Sequence, residues 1–196
     1  WISSTPECSS APAPGVNWSG CDKSGIILNG VDLRGANLMG ANFSGAELIT
    51  SDLSGAHLSD ADFSGSKLEG LLLRHSRLTG ANFNGANLYI LDMTGADLSG
   101  ADFSDTIVDS TQLLDGKADD TNFHRAGIFS SNFGRADLRG MRLDDGEILG
   151  VLLQESNLRN ASFNNSSVKS LYLNAANIEG LDLSVSDPLS RVWFKE

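Results

Sequence analysis

The chain has 196 residues, 20% of them charged, a formal net charge of −11 and a pI near 4.5. This length supports one sizeable domain, and the acidity argues against direct binding to nucleic acid or an anionic membrane surface, both of which take basic patches. No apolar run approaches the ~20 residues of a membrane-spanning helix, so no membrane insertion is expected.

The first segment, 1–25, is irregular. It starts at Trp1 without a Met and without a basic-plus-apolar leader. The expectation is a removed signal peptide or a trimmed start. The only two cysteines, Cys8 and Cys21, lie here among Pro6, Pro12, Pro14 and Gly15. An even pair in a Pro-rich terminal segment is expected to form a disulfide in an oxidising compartment: periplasmic, lumenal or extracellular rather than cytoplasmic. The alternative is two free thiols in a cytosolic protein. A bridge over a loop this short stabilises by ~3 kcal/mol. With no CxxC and no His-rich ligand set, neither a metal nor a cofactor is implied.

From 26 to 185 one pattern governs the chain. All 32 positions at 28, 33, 38 and so on to 183 are apolar: eighteen Leu, seven Phe, three Ile, two Val, one Met and one Ala. Helices repeat near 3.6 residues and strands near 2, so a strict period of five marks a repeat architecture. Two residues before each apolar position the chain places small residues such as Ala36, Ala41, Ala46 and Ser51. One residue before it stands Asp or Asn, as in Asp32, Asn37 and Asn42. Two residues after it comes the phase that holds 17 of the 21 glycines. Glycine tolerates positive φ, so a turn is expected every five residues.

The phenylalanines count the sides. Phe43, Phe63, Phe83, Phe103 and Phe123 are spaced by 20, and Phe163 follows after Leu143. Identical rings stacked in one column make a coil of 20 residues, or four five-residue sides. The segment 26–185 then forms eight coils, a shaft about 38 Å long at ~4.8 Å per layer.

This pattern resembles the pentapeptide-repeat family, on runs such as Ala36-Asn37-Leu38-Met39-Gly40-Ala41-Asn42-Phe43-Ser44-Gly45 and Ala96-Asp97-Leu98-Ser99-Gly100-Ala101-Asp102-Phe103. The resemblance covers about four-fifths of the chain. It implies an all-β fold, a right-handed quadrilateral β-helix with an interior ladder of Leu and Phe. The sequence departs from the pattern in three ways. Glycine becomes rare at the turn phase after Gly100, so a change of turn type is expected. Bulky Val31, Leu71, Leu91, Val151 and Leu171 replace small residues on one side, which must bulge or repack. The coil around Gly116, Lys117 and Ala118 has the thinnest core. No insertion breaks the register, so no long loops are expected.

An open solenoid needs its ends covered. Trp1 and Trp18 belong to the N-terminal cap. In 186–196, after Pro188, residues Leu189, Val192, Trp193 and Phe194 are expected to fold over the last coil. The resemblance supplies the alternative, since some family members pair through their C-terminal ends, making the chain a monomer or such a homodimer.

The surface carries no catalytic constellation. His57, His75 and His124 occupy different phases with no nucleophile and orienting group beside them, and a convex prism without loops offers no cleft. The column His57, Arg77, Asp97, Lys117, Asp137 is expected to form a cross-layer charge ladder. Acidic residues gather at Asp97, Asp102, Asp105, Asp109, Asp115, Asp119 and Asp120, and again at Asp144, Asp145 and Glu147. The outward apolar residues are the candidate partner surface: Ile49, Tyr89, Phe129 and Leu149 in one column, with Ile90 and Ile107 next to it. Leu72, Leu152 and Tyr172 form a second set. The expected function is a non-enzymatic rigid solenoid, a protein-binding or structural scaffold, with a protein as partner. The resemblance implies an alternative, a DNA-mimicking inhibitor or protector of DNA gyrase or topoisomerase.

Overall fold

The structure, a computed structural model, describes residues 5–185 and 190–193. Nine strands run parallel in chain order in one sheet: β1 (Ile27–Asn29), β2 (Glu47–Ile49), β3 (Lys67–Glu69), β4 (Asn87–Tyr89), β5 (Ile107–Asp109), β6 (Gly127–Phe129), β7 (Glu147–Leu152), β8 (Ser167–Tyr172) and β9 (Ser190–Trp193). From β1 to β8 every paired residue lies 20 positions from its partner, as in Leu28↔Leu48 and Val108↔Ile128. The other three sides of each coil pair through single residues at the same spacing, for example Asp32↔Asp52, Asn37↔His57 and Asn42↔Asp62. The four-sided, 20-residue coil is therefore present, and the protein is a β-solenoid.

Burial follows the five-residue phase. Leu33, Leu38, Phe43 and Leu48 are fully buried, as are the small residues Ala36 and Ala41 beside them. Phe43, Phe63, Phe83, Phe103 and Phe123 stack ring on ring, with successive centroids 5.1, 5.1, 4.5 and 4.8 Å apart. The bulky residues are taken inside without breaking the register: Leu71, Leu91, Val151 and Leu171 are buried, and Val31, in the first of these coils, is half-buried against the core. The same column holds Ser51, Thr111 and Ser131, so large and small side chains share the space. At Gly116 the Leu113 side chain fills the place of the missing methyl, so this coil is packed rather than hollow.

The corners depart from expectation. Every residue at the turn phase from Gly15 to Gly180 has positive φ, 17 of them glycine and 17 not. Asp105, Asp115 and Arg125 after Gly100 sit at φ 58°, 56° and 57°, the same as the glycines before it. The turn type does not change. Two inward side chains on each side, and backbone bonds to the coils above and below, impose the corner. The residue there adopts it at a cost of roughly 1–2 kcal/mol, less for Asp and Asn.

Pairing starts earlier than residue 26: Asn17 bridges Asn37 and Asp22 bridges Asn42. Trp18 is fully buried at the apolar phase. Lys23 occupies the next apolar position, with its ammonium 3.8 Å from the centre of the Trp18 ring and donating to the Cys8 carbonyl at 2.7 Å. Cys8 and Cys21 form a disulfide with Cα atoms 5.4 Å apart, tying the leading segment to this first turn. At the other end β9 joins β8 through Leu171↔Val192 and Tyr172↔Trp193, an offset of 21, so one residue is gained before it. Val192 packs against the core and Trp193 stacks on Tyr172 at 6.3 Å. Trp1, Pro188, Leu189 and Phe194 lie outside the described residues.

Candidate functional site

The strand-bearing side presents two outward residues per coil, flanking the buried one. On successive strands the second of these runs Asn29, Ile49, Glu69, Tyr89, Asp109, Phe129, Leu149, Lys169, directly opposite one another. The register therefore puts Ile49, Tyr89, Phe129 and Leu149 in one column, but not in one patch. Glu69, ion-paired to Lys67 on its own strand at 3.7 Å, separates Ile49 from the rest. Tyr89, Ile90, Ile107, Phe129 and Leu149 gather instead across β4 to β7, a width of about 14 Å. Tyr89 is 45%, Ile90 51%, Ile107 51% and Leu149 43% exposed. Phe129 is half-buried because its ring lies over Gly127, the residue paired with Ile107.

Ile90 has a second peculiarity. It is a β-branched residue in the left-handed region, at φ 55°, at a phase where half the equivalent residues are glycine. Neither core packing nor turn chemistry favours isoleucine there. Sequence pattern alone does not reveal the strain, because the φ at that position is visible only in the coil.

The second outward apolar set does not cluster as one. Leu72 is paired between Asp52 and Asp92, while Leu152 and Tyr172 lie together at the C-terminal end under Trp193. Ile27, 67% exposed on β1, is the most exposed large apolar side chain among the described residues and lies outside the β4–β7 row.

Most of the acidity has a structural task. Asp and Asn before each apolar residue accept the amide of the residue two further on, as Asp52 does from Ser54 at 2.9 Å and Asp102 from Ser104 at 2.9 Å. This asparagine-type turn draws the side chain along the strand. The expected ladder of His57, Arg77, Asp97, Lys117 and Asp137 is correspondingly absent as ion pairs. Its backbones are in register, but Asp97 accepts from the Ser99 hydroxyl at 2.6 Å and Asp137 pairs with Arg139 at 2.7 Å. The cross-coil pairs form at the corners instead. Arg125 donates twice to Asp105 and Arg135 twice to Asp115, every contact 2.7 Å. Hydrogen bonds from these guanidiniums hold the Asp105 and Asp115 carboxyls below their ordinary range.

The acidic residues from Asp97 to Asp120 are distributed around the coil rather than along one side. The grooves are shallow. One of about 340 Å³ is lined by Asp119, Asp120, Arg139 and Arg159, and another of about 480 Å³ by Asp120, Asn122, His124 and Arg142. Both mix charges of opposite sign. His124 lies 3.7 Å from Asp145, and the His75 ring covers Gly95. Among the described residues no three His, Cys, Asp or Glu side chains gather as a metal site, and no helix is long and apolar enough to cross a membrane.

Comparison with known proteins agrees with the coil. The family model "Pentapeptide repeats" matches residues 19–55 and 56–89, in eight copies. No curated protein matches the sequence. Among solved structures, HetL, a pentapeptide-repeat protein involved in heterocyst differentiation regulation in the cyanobacterium Nostoc sp. strain PCC 7120, is 22% identical. The likeness covers 88% of this chain and 87% of that one, with a TM-score of 0.58. A trypsin-treated form of QnrB1, a plasmid-mediated fluoroquinolone resistance protein, is 17% identical over 89% of this chain and 87% of that one, with a TM-score of 0.50. A pentapeptide-repeat protein from the Arabidopsis thaliana thylakoid lumen is 34% identical, over 53% of this chain and 66% of that one, with a TM-score of 0.30. At these identities HetL and QnrB1 speak for the fold alone. Period, stacked core and left-handed corners converge with the family match: residues 19–89 match pentapeptide repeats, and the same 20-residue register continues beyond them through β8.

Proposed function

We propose that the chain is a non-enzymatic scaffold of an oxidising, extracytoplasmic compartment that binds a protein partner on the β4–β7 side. The observation that carries the reading is the row Tyr89, Ile90, Ile107 and Leu149, exposed around the half-buried Phe129 on one side of the prism and holding a strained isoleucine. Rigid solenoids suit such extended contact, and a row of this kind marks an interaction surface. The Cys8–Cys21 bridge supports the compartment. Partner capture by the intact chain tests the surface. Tyr89→Ala or Phe129→Glu is expected to abolish capture, and unchanged capture by both variants would exclude this side.

The DNA-mimic alternative, a gyrase or topoisomerase ligand, has weaker support. Its carboxylates spread around the coil, and Arg125, Arg135 and Arg139 neutralise several of them. That alternative requires inhibition of DNA supercoiling by the purified chain. The present proposal predicts no effect.

A further inference from the structure

The apolar row has a carboxylate at its centre. Asp109 stands directly between Tyr89 and Phe129 in the strand register. It is half-buried, and its only side-chain hydrogen bond among the described residues is from the Ser110 hydroxyl, at 3.0 Å. No cation of the described chain lies within ion-pair distance of it. The contrast with Glu69, two strands away in the same column, is informative. Glu69 has Lys67 beside it on its own strand, whereas the equivalent place beside Asp109 is Ile107. Glu147, beside Leu149 on β7, also lacks a cation among the described residues.

Any protein that covers both Tyr89 and Phe129 must cover Asp109 as well. Taking an unpaired carboxylate out of water is costly unless a cation meets it there. From this we infer that the partner presents an arginine or lysine flanked by apolar side chains, with the cation seated on Asp109 between the two aromatic rings. Arginine fits best. Its guanidinium bonds both carboxylate oxygens while its plane lies against Tyr89 or Phe129. The net charge of −11 steers a basic partner toward the chain, and the apolar row decides where it lands.

This inference rests on the β4–β7 surface being the binding side, and the test separates the two. The probes are a short peptide with arginine flanked by leucines and its citrulline counterpart, which keeps the side-chain shape and loses the charge. Binding to the full chain is followed by amide NMR shifts. The arginine peptide is expected to shift Tyr89, Asp109 and Phe129, and the citrulline peptide to bind at least about tenfold more weakly. Asp109→Asn is expected to erase that difference, while Asp60→Asn, at a corner on another side of the prism, preserves it. Equal binding of both peptides at this side would overturn the cation inference and leave the surface standing. A difference that survives Asp109→Asn would overturn it too, by assigning the preference to diffuse charge. Absence of shifts on β4–β7 with either peptide would count against the surface itself.

Discussion

The stacked phenylalanines give the sharpest prediction about the coil. Phe83 is fully buried, with Phe63 5.1 Å on one side and Phe103 4.5 Å on the other, both rings nearly parallel to its own. Phe83→Ala removes the ring from a core with no room to collapse, since the coils on both sides are held by backbone bonds such as Phe83 N–H to Asp102 carbonyl at 2.7 Å. The expected cost is about 3–5 kcal/mol. Phe83→Leu is milder, about 1–2 kcal/mol, because leucine is accepted in this column at Leu143. The informative experiment is a pair of double-mutant cycles in urea unfolding. Phe63→Leu with Phe83→Leu joins stacked neighbours, and a coupling of about 0.5–1.5 kcal/mol is expected. Phe43→Leu with Phe103→Leu joins rings three coils apart, about 14 Å, and the two should add within about 0.5 kcal/mol. Equal coupling in both cycles, or none in the first, would refute a core that stacks coil on coil.

Three further outcomes follow from named groups. The Ser66 hydroxyl is buried with no partner among the described residues, at a phase where Ala46 and Ala86 stand one coil away on either side. Ser66→Ala is therefore expected to raise stability by about 1 kcal/mol in denaturant titration, whereas Ser76→Ala, whose hydroxyl bonds the Leu73 carbonyl at 2.6 Å, should not. Removing the bridge with Cys8→Ser and Cys21→Ser together is expected to cost about 3 kcal/mol, and to expose the Trp18 ring to fluorescence quenchers that do not reach it in the native chain. Asp22, Asp105, Asp115 and Asp182 have carboxyls lowered in the folded state, by the Ser24 amide, by Arg125, by Arg135 and by Ser184 respectively. A lowered folded value means that their stabilisation is complete above the unfolded value near 4 and is lost as pH falls through the lower one. Thermal midpoints are expected to be flat from neutral pH to about 5 and to drop below about 4.

Much of the fold was legible because each inward position repeats the same requirement at every coil. One misplaced leucine would break a column, so Leu28 to Leu183 keep their phase and betray the period. The Cys8–Cys21 bridge was legible for a different reason, since no other thiol competes. What escaped were features whose cause lies between coils. Glycine loss after Gly100 predicts a new turn, but Asp105 and Arg125 adopt the glycine corner because the ladder forces it, and there they pair with each other. The pairing before residue 26 is hidden in the sequence because Lys23 occupies an apolar phase, and only the Trp18 ring beneath it explains a lysine there. Asp97 and Lys117 share a column, which predicts a charge ladder along the side, but the local turn takes the carboxylate first. At the candidate surface, periodicity identified which apolar residues point outward. It did not show that Lys67 and Glu69 separate Ile49 from the others, or that Ile90 is strained.

The central claim is that this prism meets its partner on the side bearing β4 to β7. A photo-crosslinking residue placed at Ile90, and separately at Asp60, at the opposite corner phase of an earlier coil, tests it most directly in cells. Both positions are corners of the same conformation, with φ of 55° and 57°. The account predicts one discrete crosslinked protein from position 90, lost on adding Phe129→Glu, and none from position 60. Crosslinks to the same protein from position 60 alone, or from both positions equally, would contradict it.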